Sequence, residues 1–334
     1  MGSLSIVLAR SALIVALLAI SGLTIDASAQ TGGATQPSTS AQAGGAAQPI
    51  PAGYHLVWSD EFDKDGPPDT TKWSFEKGFV RNQENQWYQS ENAVCKDGLL
   101  IIEARRTHQP NPNYDATSKD WKKSRPFIDY TSACLKTAGK ASWKYGLFEM
   151  RGRIDVEPGC WPAWWTLGVE RPWPANGEID IMEYYRNKLL ANVACMGPEQ
   201  RPQWSSRTRP VDSLGGQASP GGQSSLGGQS SLGGQSSPGG QSSLGGPAWA
   251  SRFHTWRMYW DEDSITLTMD GVVLNKVAEK DFIDKDGSGF EPFKQPHYML
   301  LNLAIGGQSG GDPAHTSFPR RFEVDYVRVY QKTQ

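Results

Sequence analysis

Residues 145–156 alternate between apolar and polar side chains. Phe148, Met150, Ile154 and Val156 fall on one face, and Glu149, Arg151, Arg153 and Asp155 on the other. A period of two with one polar face describes an antiparallel strand covered on one side; a helix would repeat every 3.6 residues. Segments 99–104, 254–260, 265–269, 298–305 and 322–330 have the same character, and Asp261-Glu262-Asp263 and Asp270-Gly271 supply turn signals between strands. Beyond the N-terminal apolar run, no long stretch keeps a helical period. The chain is therefore expected to be all-β, its strands closing a core between two sheets as a sandwich or jelly roll.

The ends and one internal segment depart from this pattern. Arg10 precedes an apolar run, 11–23, and Ala27-Ser28-Ala29 follows with the small residues of a cleavage site. The run is shorter than the ~20 residues of a membrane span, so residues 1–29 read as a signal peptide and the mature chain as secreted or periplasmic, with no membrane segment. Residues 30–52, uncharged and rich in Gly, Ala, Gln, Ser, Thr and Pro, read as a flexible linker, leaving 53–332 as the folded domain. Within it, a Gly-Gly-Gln-Ser-Ser-Leu/Pro hexapeptide repeats across 213–246 with one Leu or Pro per copy, too little to build a core. This insert reads as a disordered loop, dispensable for folding, of the kind replication slippage produces.

Composition narrows the function. With 33 basic and 35 acidic residues and a formal charge of -2, there is no footprint for nucleic acid or an anionic membrane. Nothing in the sequence calls for a second subunit, and a monomer is expected. Cys95, Cys134, Cys160 and Cys195 show no Cys-x-x-Cys spacing and no nearby His, which argues against zinc. In an exported chain they are expected to oxidise, with three pairings open. Thirteen Trp and eleven Tyr suit both sugar stacking and core packing.

The densest chemistry lies in 173–185, Trp-Pro-Ala-Asn-Gly-Glu-Ile-Asp-Ile-Met-Glu-Tyr-Tyr. Glu178, Asp180 and Glu183 interrupt an otherwise apolar strand, where like charges on one face repel. Regular alternation puts Glu178 and Asp180 together and Glu183 on the opposite side. One extra residue, a β-bulge near Met182, returns Glu183 to the acid face. Two carboxyl groups so placed suit glycosidic cleavage: crowding separates their pKa values, leaving one as nucleophile and the other as proton donor, with Asp180 assisting between them. A solvated acidic strand or a calcium site are the structural alternatives.

The segment Glu178-Ile-Asp180-Ile-Met-Glu183 resembles the signature of glycoside hydrolase family 16, in the bulged form of its laminarinase, agarase and carrageenase branches. Trp161-Pro-Ala-Trp164-Trp165, Tyr130-Thr-Ser-Ala, Lys144-Tyr-Gly-Leu-Phe-Glu149, Asn302-Leu-Ala-Ile-Gly-Gly307 and Val324-Asp-Tyr-Val-Arg-Val-Tyr330 extend the likeness over about 54–331. The resemblance implies a jelly-roll β-sandwich of two curved antiparallel sheets with a concave substrate cleft. It implies Glu178 as nucleophile, Asp180 as its assistant and Glu183 as acid/base, with Trp161 and Trp165 stacking on sugars. Asn82, Gln86 and Tyr88 match, in part, a sugar-contacting segment. Glu61, the Gly98 carbonyl and Asp325 match the donors of a structural calcium on the convex face; the chemistry itself requires no cofactor. Where laminarinases commonly carry His-Gly-Thr-x-His, this chain has Ala191-Asn-Val-Ala-Cys-Met196, with neither His. The expected activity is retaining, endo-acting hydrolysis of β-glucan, foremost β-1,3-glucan. A galactan hydrolase and a non-catalytic glucan-binding protein are the alternatives.

Overall fold

The computed structural model describes residues 49–211 and 249–333. The signal-peptide and repeat assignments, and all of the linker before residue 49, lie outside these residues. Among the described residues seventeen strands follow in order: β1 (Tyr54–Asp60), β2 (Ser74–Phe75), β3 (Gln86–Tyr88), β4 (Ala93–Lys96), β5 (Leu99–Pro110), β6 (Phe127–Ser132), β7 (Cys134–Lys136), β8 (Gly146–Ile154), β9 (Cys160–Gly168), β10 (Glu178–Tyr185), β11 (Lys188–Met196), β12 (Pro202–Pro210), β13 (His254–Trp260), β14 (Ser264–Met269), β15 (Val272–Ala278), β16 (His297–Ile305) and β17 (Arg320–Lys332). Helix is confined to short turns such as Trp121–Ser124 and Gly307–Gly310.

The strands form two sheets. One runs β15-β14-β13-β8-β17-β5-β6-β3, with β1 added on β17 and β4 on β5; the other runs β12-β11-β10-β9-β16-β7-β2. Every pairing is antiparallel except β3 with β6. The two sheets face each other across one hydrophobic core in which Leu100, Ile102, Phe148, Trp256, Trp260 and Phe322 of the first sheet meet Trp164, Ile179, Val193 and Leu301 of the second. This is the jelly-roll sandwich that the alternation and the family resemblance imply.

The polar face of β8 is less open than alternation suggests. Glu149 is only 2% exposed. It lies opposite Arg257 on β13 and Arg328 on β17, and Arg257 donates to it. Next along the strand, Arg151 pairs with Asp325 at 2.5 Å and Arg153 with Glu323. Charges on three neighbouring strands satisfy one another, so this outer face holds a ladder of ion pairs.

The cysteines correct the expectation of disulfides. Cys95 on β4, Cys134 on β7, Cys160 on β9 and Cys195 on β11 are all free and buried. Each sits on a different strand and packs as a small apolar side chain, and burial pushes the Cys95 thiol up to about 11 and the Cys195 thiol to about 12.

The bulge expected near Met182 is present. Pairing of β10 with β11 and with β9 shifts register just after Asp180. Ile179, Ile181, Met182 and Tyr184 all enter the core, so two consecutive residues point inward and the alternation restarts one residue later. Deleting Met182 should restore an uninterrupted period of two. The domain should still fold, at a cost of about 2–5 kcal/mol for the lost buried side chain. Inserting one Ala after Met182 should cost more, because it turns Glu183 inward. Urea unfolding of the two variants checks the order.

Candidate active site

The outer face of the seven-stranded sheet carries a cavity of about 660 Å³. Its floor follows from alternation on neighbouring strands. Residues 160, 164 and 166 of β9 and 189, 191, 193 and 195 of β11 are buried on the inner side. Their neighbours Trp161, Ala163, Trp165, Leu190 and Asn192 therefore face the cavity with Glu178, Asp180, Glu183 and Tyr185 of β10. Strand register fixes the rows. Glu178 lies beside Leu167 and Ala194, Asp180 beside Trp165 and Asn192, and Glu183 beside Ala163 and Leu190. β12 adds Trp204, Ser206 and Thr208 at one edge, and β16 adds Asn302.

The three acids are held by donors from different elements. Trp173, on the loop before β10, donates Nε1–H to Glu178 Oε2 at 2.5 Å. Asn192 donates through Nδ2 to Asp180 Oδ2 at 3.0 Å and to Glu183 Oε2 at 2.9 Å. Trp161 Nε1–H reaches Glu183 Oε1 at 2.7 Å. Burial, reinforced by the neighbouring Asp180, pushes Glu178 well above the carboxyl range. Burial raises Asp180 to about 6, against the hydrogen bonds from Asn192 and Glu178. Glu183 rises to about 8, through burial and then repulsion from Asp180. Glu178 and Asp180 thus share a proton, and Glu183 keeps its own at neutral pH.

A supporting layer lies behind the floor. Trp165 Nε1–H donates to Asn302 Oδ1 at 2.7 Å, and Asn302 Nδ2–H donates to the Tyr88 hydroxyl at 3.1 Å. Gln86 accepts from Ile305 N–H at 2.7 Å and donates to Glu84 at 2.7 Å. Arg81 lies over the Trp165 ring, 5.1 Å from its centroid, and pairs with Glu76. Of the expected sugar-contacting residues, Trp161, Trp165 and Asn82 line the cavity. Gln86 and Tyr88 do not: both are fully buried and brace the residues that do. Arg81, Glu84, Trp173, Tyr185, Asn192, Trp204 and Asn302 line the cavity without having been singled out. Trp173 and Trp204 are the two Trp side chains left largely exposed.

The loop bearing Trp173 is anchored by Arg171. Its Nη1 donates to Ser288 Oγ at 2.8 Å and lies 3.2 Å from Asp286 and 3.5 Å from Asp284. The guanidinium also covers the Phe290 ring at 4.1 Å.

Calcium is a poor fit to the residues expected to hold it. Glu61 accepts two hydrogen bonds from Arg328, at 2.9 and 2.7 Å, and Asp325 accepts one from Arg151. Both carboxylates already balance a guanidinium, and a cation there would face two positive side chains. Among the described residues, no cluster of three or more His, Cys, Asp or Glu forms a metal site.

Comparison with known proteins now decides the family. The description "XgeA-like, catalytic GH16 domain" matches residues 73–222. A beta-glucanase from Rhodothermus marinus is 35% identical over 295 residues, covering 83% of this chain and 85% of its own length. The chain belongs to glycoside hydrolase family 16. The solved structure of SCLam, a non-specific endo-beta-1,3(4)-glucanase of family 16, superposes with a TM-score of 0.60 at 30% identity, over 86% of this chain and 94% of that one. A structure solved in work on endo-acting O-glycanases of human gut bacteria superposes with a TM-score of 0.69 at 29% identity, over 85% and 93%. As a family 16 member the chain is a glycoside hydrolase, and its cavity is a candidate active site.

Trp173→Phe tests the electrostatics directly. The indole N–H favours the ionised form of Glu178, so its loss should raise that carboxyl further. A carboxyl-carbon NMR titration of the labelled protein checks the shift.

Proposed function

We propose that the chain is a retaining, endo-acting β-glucan hydrolase acting foremost on β-1,3 linkages, with Glu178 as nucleophile, Glu183 as acid/base and Asp180 as assistant. The observation that carries this reading is the placement of the three carboxyls on one cavity floor by the bulge at Met182. Glu183, protonated at neutral pH, donates its proton to the glycosidic oxygen as the bond to the anomeric carbon breaks. Asp180 takes the proton shared with Glu178, freeing a carboxylate that attacks the anomeric carbon and forms a glycosyl ester. Glu183, now ionised, deprotonates a water, which displaces Glu178 and restores the β configuration. No step needs a cofactor. Trp161, Trp165 and Trp173 offer ring faces to the sugars, and Asn82 a polar contact at the rim.

The β-glucan assignment rests on likeness to the Rhodothermus beta-glucanase and to SCLam. A galactose-containing glycan is the second reading. It is favoured by a keratan-sulfate endo-1,4-beta-galactosidase from Sphingobacterium multivorum, 24% identical over 288 residues. A purely binding role does not account for three carboxyls with raised proton affinity in one cleft. Export through residues 1–29 and action as a monomer belong to the same reading. Among the described residues, no helix is long and apolar enough to cross a membrane.

Reducing-sugar release from laminarin, lichenan, agarose and carrageenan separates the substrates; turnover of agarose or carrageenan alone overturns the β-glucan reading. Glu178→Gln and Glu183→Gln should each lower polysaccharide turnover by roughly a hundredfold or more with the melting temperature retained. Proton NMR should show the β anomer as first product, and an initial α anomer rules out retention. The rate should follow a bell in pH. The acidic limb lies near 6, where the Glu178–Asp180 pair gains a second proton, and the alkaline limb near 8, where Glu183 loses its own.

A further inference from the structure

Asn192 sits at the centre of the cleft, on β11, directly opposite Asp180. Its side chain is 4% exposed. One nitrogen, Nδ2, spans the bulge: it reaches Asp180 on one side of Met182 at 3.0 Å and Glu183 on the other at 2.9 Å. The carbonyl oxygen of the same amide is buried and finds no partner. Leaving a buried amide oxygen unpaired is costly, and an apolar residue of similar size would avoid that cost. What the site gains is the donor end. The bulge pulls Asp180 and Glu183 out of the spacing of a regular strand, and a single amide bridges the gap.

We propose that Asn192 is a positioning residue for the proton donor of this enzyme: its one shared nitrogen locks Glu183 in place relative to Asp180 and sets the pH range over which Glu183 stays protonated. The inference rests on the assignment of Glu183 as acid/base. Glu183 has two supports, Trp161 on Oε1 and Asn192 on Oε2. Only the second also touches Asp180, so only it couples the two carboxyls. An N–H donated to a carboxylate favours the ionised form, so Asn192 holds both groups lower than burial alone would leave them. The other titratable or charged groups facing this cluster are Glu178 and Tyr185 on β10, Arg81 and Glu84 from the segment before β3, and Tyr298 on β16. β9 and β12 contribute Trp161, Trp165, Trp204, Ser206 and Thr208, none of which titrates in this range. An amide does not titrate either, so the limbs of the pH profile belong to the carboxyls.

The test compares Asn192→Ala and Asn192→Asp with the unaltered full chain on two substrates. One is laminarin, whose leaving oxygen needs a proton; the other is a dinitrophenyl β-oligoglucoside, whose leaving group does not. Asn192→Ala should lower kcat on laminarin roughly tenfold or more and move the alkaline limb up by about one pH unit. On the activated substrate, at a pH below the alkaline limb, the loss should be smaller by about an order of magnitude. Asn192→Asp keeps the shape, removes the donor and adds a negative charge, so its alkaline limb should lie higher still. Equal losses on both substrates with both limbs unmoved overturn the inference and leave Asn192 a packing residue. Glu183→Gln, run in parallel, separates the two levels. If it keeps turning over laminarin, the acid/base assignment itself fails. If it loses laminarin but keeps the first-turnover burst of dinitrophenolate from the activated substrate, while the Asn192 variants show no shift, only the role of Asn192 fails.

Discussion

The arrangement of the cleft depends on two consecutive side chains, Ile181 and Met182, both turned into the core. Burial of apolar surface decides the geometry there. Two inward residues in succession leave β10 one residue out of step with both neighbours, and the offset carries Glu183 back to the face of Glu178 and Asp180. The chemistry of the outer face is therefore set by packing on the inner one. The same strand that closes the sandwich presents three carboxyls in a row, a pattern that is stable only because donors from the Trp173 loop, β9 and β11 meet them.

Much of this was legible in the residue order, and the limit has a physical form. Alternation marks the strands: His254–Trp260 matches its expected span, and β8 and β16 differ by a residue or two at their ends. The bulge is legible because the acids and the apolar residues of 178–184 cannot all be satisfied by a regular strand. Asn192 and Trp204 escape because their place depends on the register of β11 and β12 against β10, a non-local property that no local pattern encodes. Gln86 and Tyr88 mislead for a related reason. They lie in a segment that borders the cleft, but β3 is buried on both faces. The cysteines look like a disulfide framework only until their strands are known.

Behind the cleft, polar side chains act in relays. Tyr88 holds Asn302, Asn302 holds Trp165, and Arg81 lies over that indole. Each member is fixed by the next, so the indole plane is set before any ligand arrives, which lowers the ordering cost of binding. The thirteen Trp accordingly divide: Trp161, Trp165, Trp173 and Trp204 line the cleft, while others such as Trp73, Trp164, Trp256 and Trp260 fill the core.

The anchoring of the Trp173 loop has one more consequence. Asp284, Asp286 and Ser288 turn their oxygens toward a single positive group, as a loop built around a metal ion would, but the group is the guanidinium of Arg171. A counterion tethered by its own backbone cannot be washed out, chelated or exchanged for a competing ion. The indole that touches Glu178 is thus moored by the chain itself, and its hold varies with ionic strength, which weakens charge pairs, instead of with the mineral content of the surroundings.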